Sequence, residues 1–282
     1  MNSPKEEAID MPNDNLDAPK VSQAKDYYQK GEEYPVEIKS QEQSAHSDES
    51  DEANEAAIQM SVRAGFIRKV YGILSIQLII TFGSVFLCQI RPIKETIFKN
   101  QVLSGNLIIF ASISFLVLFL CLACNRGLSR KVPYNYLFLF GITLCEAISC
   151  SIVSSIYSFQ IVASALLLTI VATLAITFYA CTTKTDFSAC RVGLYVIFSQ
   201  MFTIGLIAVL FRLRSLYAFY TFGMTAMVGI YLVYDTQLIM GKLGMGYSVD
   251  DYIFATLEIY MDIIRLFLLI LRIVAQASSR KH

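Results

Sequence analysis

Residues 103–123 read LSGNLIIFASISFLVLFLCLA: twenty-one positions without one charge. A helix rising 1.5 Å per residue needs about twenty such residues to cross the roughly 30 Å hydrocarbon core of a bilayer. This stretch therefore reads as a transmembrane helix. Working outward, similar apolar runs occupy 70–90, 134–156, 160–181, 192–211, 216–240 and 252–273. The connectors between them are short, which makes successive helices antiparallel neighbours. The expected fold class is all-α, a polytopic membrane protein with about seven helices in a bundle. No convincing internal repeat marks an inverted-repeat transporter.

Composition agrees, since 55% of the 282 residues are hydrophobic, more than in an ordinary soluble domain. The zero formal net charge hides an asymmetry. Residues 1–60 hold 15 Asp and Glu against 5 Lys, and the rest hold 8 acidic against 18 basic residues. The acidic segment has too few branched aliphatic residues to offset the entropy of ordering, so 1–60 is expected to be a disordered tail and 61–282 the transmembrane domain. Within the tail, Tyr27, Tyr28 and the stretch Glu33 to Val36 are weak candidates for a recognition motif, and Ser44, Ser47 and Ser50 sit among acidic residues. The basic residues of the body are scattered between apolar runs and read as topology signals, with no nucleic-acid partner expected. Arg63, Arg68 and Lys69 closely precede the first helix and place the tail in the cytosol. Seven crossings would then put the C-terminus outside, against the preference of Arg272, Arg280 and Lys281, unless the last helix re-enters.

Enzyme chemistry finds little support. The only histidines are His46 and His282, which excludes a His-based hydrolytic or HExxH site. The glycines from Gly241 to Gly246 lack a preceding strand and a Walker lysine, so they read as a turn. Cys121 and Cys124 form a CxxC within an apolar helix and read as packing residues, and no disulfide framework is expected of the seven cysteines. Tyr234-Asp235 fits the first half of an intramembrane aspartyl protease, but Asp262 lacks the Gly-x-Gly-Asp setting of the second half. The expectation is a protein that is not an enzyme and needs no cofactor.

An ionisable group at membrane depth costs from about 2.5 kcal/mol upward, so each must be paired, hydrated or functional. Glu146, Asp235, Glu258, Asp262 and Arg265 are the candidates. At about 100° per residue, 258, 262 and 265 fall on one narrow face, expected to look inward. One reading is a structural ion pair of Arg265 with Asp262 or Glu258. A sharper one starts from Asp235, about 9 Å of helix rise before Gly241, and Asp262, roughly 15 Å beyond Asp251. These carboxyls can meet at similar depth, share a proton, and form a proton-sensitive latch or cation site.

Several motifs together resemble the Bax-inhibitor/lifeguard family: Phe66-Ile67-Arg68-Lys69-Val70-Tyr71, Leu78-Ile79-Ile80-Thr81, Lys184-Thr185-Asp186-Phe187, Tyr234-Asp235-Thr236-Gln237-Leu238-Ile239, and Tyr260-Met261-Asp262-Ile263-Ile264 with Leu266-Phe267-Leu268. Their order and spacing match over 63–272, leaving the tail outside. The resemblance implies six helices around a central C-terminal seventh, and a pH-sensitive calcium leak channel or regulator of intracellular calcium stores with an anti-apoptotic role. It implies gating by Asp235 and Asp262, which would hold calcium transiently, and a route lined by Glu146. It points to the endoplasmic reticulum or Golgi membrane, with lipid, calcium ions and apoptosis-regulating or calcium-channel proteins as partners. Arg265 stands where relatives usually have Asn, and Glu258 where they have a neutral residue. A fixed cation beside Asp262 would favour the ionised aspartate and compete with calcium, unless Glu258 neutralises it. The alternative is a non-conducting scaffold in which Arg265 locks the aspartates.

Overall fold

Apolar runs of this length leave the backbone no partner in hydrocarbon except itself, and every regular element among the described residues is helical. The computed structural model describes residues 36–185, 187, 191–242 and 247–279. The helices are α1 (Val36–Cys88), α2 (Arg91–Lys99), α3 (Gln101–Cys124), α4 (Arg126–Arg130), α5 (Tyr134–Ser155), α6 (Phe159–Thr182), α7 (Arg191–Leu210), α8 (Arg214–Met240) and α9 (Tyr252–Ser279), the last preceded by a 3-10 turn at Val249–Asp251. Among the described residues, six stretches are long and apolar enough to cross a membrane: Asn54–Leu87 of α1, most or all of α3, α5, α6 and α7, and Ser215–Met240 of α8.

The seventh, α9, has 28 residues, ample for a crossing at 1.5 Å per residue. Its apolar sequence is interrupted by Glu258, Asp262, Arg265 and Arg272. A helix carrying those groups needs protein around it, and α9 is accordingly the helix most enclosed by the rest. Ile253, Leu257, Tyr260, Phe267 and Leu271 are all fully buried, packed with Phe66, Val70 and Leu74 of α1, Leu139 and Ile142 of α5, Val162 and Ala165 of α6, and Leu232 and Ile239 of α8. Phe82 meets Phe267 edge to face with ring centroids 5.3 Å apart, the geometry aromatic quadrupoles favour. The C-terminal helix is thus the central one. It runs unbroken from Tyr252 to Ser279.

The expected boundaries of the later spans match to within a few residues, but α1 begins well before Val70. Hydropathy marks only the apolar part of a helix. Residues 36–59 hold five Glu, four Ala and three Gln, which favour helix without making the stretch apolar. Residues 1–35 of the expected tail, with Tyr27, Tyr28 and Tyr34, lie outside the described residues, as do Asp186, Cys190 and 243–246.

Local chemistry sets the ends. Gly241 closes α8 at φ 74°, a left-handed conformation that glycine adopts without steric cost, and Lys242 N donates to Gln237 O at 3.1 Å to complete the cap. Asn125 caps α4 by accepting from Leu128 N at 3.3 Å. The amphipathic connector α2, with Pro92 in its first turn, is tied to the end of α5: Lys94 Nζ donates to Tyr157 O at 2.6 Å and Gln89 Nε2 to Ser154 O at 2.9 Å. The described cysteines, Cys121 and Cys124 included, are free thiols.

Candidate functional site

Antiparallel α8 and α9 bring Asp235 and Asp262 together. Asp235 is 9% exposed and Asp262 5%, and each carboxyl lies within electrostatic reach of the other. Two carboxyls so placed can hydrogen-bond only when one carries a proton, because ionised carboxylates have no donor. Asp262 Oδ2 is buried with no hydrogen-bond partner among the described residues, a need that a proton shared with Asp235 would meet. The juxtaposition expected from helix rise is present in the fold.

Arg265 supplies the nearby cation. Its Nη1 lies 3.7 Å from Asp262 Oδ1, and its field also reaches Asp235 and the half-buried Glu146 on α5. One guanidinium therefore acts on three acidic side chains from three helices. The expectation that 258, 262 and 265 all look inward holds for Asp262 but not for Arg265, whose side chain is 52% exposed. Its long stem carries the charge away from the core even though its Cα lies near the buried face. Of the two ion pairs considered for Arg265, the structure shows the one with Asp262. Glu258 instead accepts a hydrogen bond from the Tyr247 hydroxyl, and its charge acts on Asp262 from one turn away.

A neutral polar seam adjoins this centre. Gln77, Thr81 and Ser84 follow the i, i+4, i+7 spacing of one helix face. Gln77 Nε2 donates to Thr143 Oγ1 at 2.8 Å, the Thr81 and Tyr260 hydroxyls are 2.8 Å apart, and Ser151 Oγ donates to Ser84 Oγ at 2.9 Å. The seam joins α1, α5 and α9, and Glu146 acts on Tyr260 from beside it. Periodic polar positions in an otherwise apolar run were the available signal for these residues.

A second group gathers where α6 and α8 end and α9 begins. Arg63 of α1 donates to Leu238 O at 2.6 Å and to Tyr247 O at 3.0 Å, holding both sides of the Gly241 connection. Lys242 Nζ donates to the carbonyls of Ala180, Cys181 and Thr183 at the end of α6. Gln237 donates to Thr185 O at 3.0 Å. Arg130 forks onto Asp251 with contacts of 2.9 and 3.1 Å, and that bond holds its guanidinium above the ordinary arginine value. Lys69 Nζ stands 3.5 Å from the centroid of the Tyr252 ring, a cation–π contact. The sequence offered Arg63 and Lys242 only as topology charges, since their partners are backbone carbonyls far away in the chain.

Comparison with known proteins covers both the pair and the clamp. The family described as inhibitor of apoptosis-promoting Bax1 matches residues 63–279. Protein lifeguard 3 of Homo sapiens is 30% identical over 224 residues, covering 77% of this chain and 70% of that protein. The Mus musculus protein of the same name is 31% identical over 220 residues, covering 76% and 69%. The Golgi anti-apoptotic protein of vaccinia virus strain Lister is 30% identical over 227 residues, covering 80% of this chain and 91% of the viral protein. With the motif-bearing helices packed as that resemblance implies and more than half of the chain matched, this protein belongs to the Bax-inhibitor/lifeguard family.

Proposed function

We propose that this protein is a non-enzymatic, pH-sensitive calcium leak, or a regulator of intracellular calcium stores, that suppresses cell death from a Golgi or endoplasmic reticulum membrane. The observation that carries the reading is the carboxyl pair of Asp235 and Asp262, buried between two helices of a membrane bundle. While one proton is shared, the pair joins α8 to α9. Once it is lost, two like charges face each other in a poorly solvated place, push the helices apart, and present oxygens to a cation. Two carboxyls fall short of the six to eight oxygen ligands calcium prefers, which supports passage over storage. Among the described residues no three His, Cys, Asp or Glu side chains gather as a metal site. Glu146 would extend the route, with Arg265 competing with the passing ion. The family's description as inhibitor of apoptosis-promoting Bax1 and the name of the viral Golgi anti-apoptotic protein support the anti-apoptotic role, and the viral name supports the Golgi.

The test is calcium flux in proteoliposomes over a range of pH, comparing the intact protein with Asp262→Asn and Arg265→Asn. Flux that rises with pH and loses that dependence in Asp262→Asn supports the leak. Absence of flux in all three sinks it.

A second reading is favoured by the Arg265–Asp262 contact: a non-conducting scaffold for apoptosis-regulating or calcium-channel proteins, with the arginine locking the acidic centre. Deleting residues 1–60 separates the two. A leak keeps its flux without them, whereas a scaffold working through its tail loses its protective effect in cells.

A further inference from the structure

Between α6 and α8 lies a lateral groove of about 520 Å³ whose lining holds no charged residue. Its side walls include Ile176 of α6 and Phe222, Thr225 and Gly229 of α8, and its floor is Leu266 and Ile270 of α9. The lining is almost wholly apolar. Thr225 turns its hydroxyl onto the carbonyl of Thr221 at 2.7 Å, leaving its methyl group for the groove. Both wall helices are among those long and apolar enough to span a membrane, and the rim residue Phe222 is exposed. The opening therefore lies on the face of the bundle that hydrocarbon covers.

Three physical facts constrain what occupies it. An empty apolar void forfeits the dispersion contacts of every atom that lines it. Water does not fill such a space, because it finds no polar partners there. The volume lies within the roughly 300–1,000 Å³ of small-molecule sites, and the solvent at the opening is made of hydrocarbon chains. We propose that the groove is a binding site for one acyl chain of a bilayer lipid, which lies between α6 and α8 and rests on Leu266 and Ile270 of the central helix. The absence of a side chain at Gly229 makes the room: a Cβ there would meet only Ile176 Cδ1, at 3.5 Å, so a larger residue would project into the space the chain takes. Neither Asp235 nor Asp262 lines the site, and the proposal does not depend on whether the protein conducts calcium.

The full chain is reconstituted in vesicles of phosphatidylcholine doped with a diazirine-bearing acyl analogue, irradiated, and mapped by mass spectrometry. Labelling concentrated on the groove residues of α6 and α8, several-fold above that of exposed α3, is the expected result. Gly229→Leu and Ala226→Leu should each reduce groove labelling several-fold and leave α3 labelling unchanged. Leu174→Phe, a bulky change at an exposed position outside the groove, should not alter it. Even labelling of all lipid-facing helices in the unaltered protein overturns the proposal whether or not the variants fold. So does groove labelling that persists in monodisperse Gly229→Leu.

Discussion

Arg265 Nη1 lies 3.7 Å from Asp262 Oδ1, three residues apart on the central helix, and the arginine side chain is 52% exposed while that of the aspartate is 7%. One partner is fixed in the core and the other is free to swing. The pair is thus an adjustable bias on the acidic centre. An opposite charge at this distance favours an ionised carboxylate over a protonated one. Arg265→Asn removes that bias from the acidic centre. The midpoint of the flux profile in proteoliposomes is expected to move up. Arg265→Lys, which keeps the charge, should shift it much less, and a midpoint unmoved by Arg265→Asn would show that the arginine does not act on the pair.

Arg63 makes two charge-assisted bonds to backbone carbonyls on either side of the Gly241 connection. Hydrogen bonds to charged groups contribute about 1.5–3 kcal/mol each, reduced here because Arg63 is only part-buried. Arg63→Gln is expected to lower the apparent unfolding midpoint in detergent and to expose the connection between α8 and α9 to limited proteolysis. Arg63→Lys should recover part of the loss, since a single ammonium cannot span both carbonyls as the fork does. Unchanged proteolysis in Arg63→Gln would mean that the clamp does not hold the loop.

Span positions follow from hydrocarbon thickness, so α3, α5 and α8 are legible from composition. The meeting of Asp235 with Asp262 follows from helix rise and a short connector. Arg63 is not legible in the same way, because a backbone carbonyl carries no sequence signature and Leu238 is 175 residues distant. Arg265 misleads for a different reason: helical phase places its Cα, while the length of its stem decides where the charge goes. The start of α1 was hidden because hydropathy is blind to a polar helix.

Lys242 caps α6 from the far side of the α8 terminus by donating to three of its final carbonyls. A cation at a helix C-terminus contributes about 0.3–1 kcal/mol through the helix dipole. Lys242→Met is therefore expected to raise hydrogen exchange of the amides at 182–185 by about two- to fivefold. Exchange in the middle of α6 should stay unchanged. Lys242→Arg preserves the charge and should exchange like the original. Equal exchange in Lys242→Met and the unaltered protein would remove the capping role.

Tyr260 is fully buried, and its hydroxyl is 2.8 Å from that of Thr81. Thr81 already donates to Gln77 O at 2.9 Å, so the tyrosine is the donor between them. Tyr260→Phe keeps the ring and leaves Thr81 with its own donor satisfied, so the loss is one neutral hydrogen bond, about 0.5–1.5 kcal/mol. Tyr260→Ala empties a ring-sized space at the centre of the bundle, and burying an aromatic side chain there is worth about 3–5 kcal/mol. Thermal unfolding in detergent should therefore rank the alanine variant far below the phenylalanine variant, with phenylalanine close to the original. If the two variants unfold together, the polar seam between α1 and α9, not the packing of the ring, holds the central helix in place.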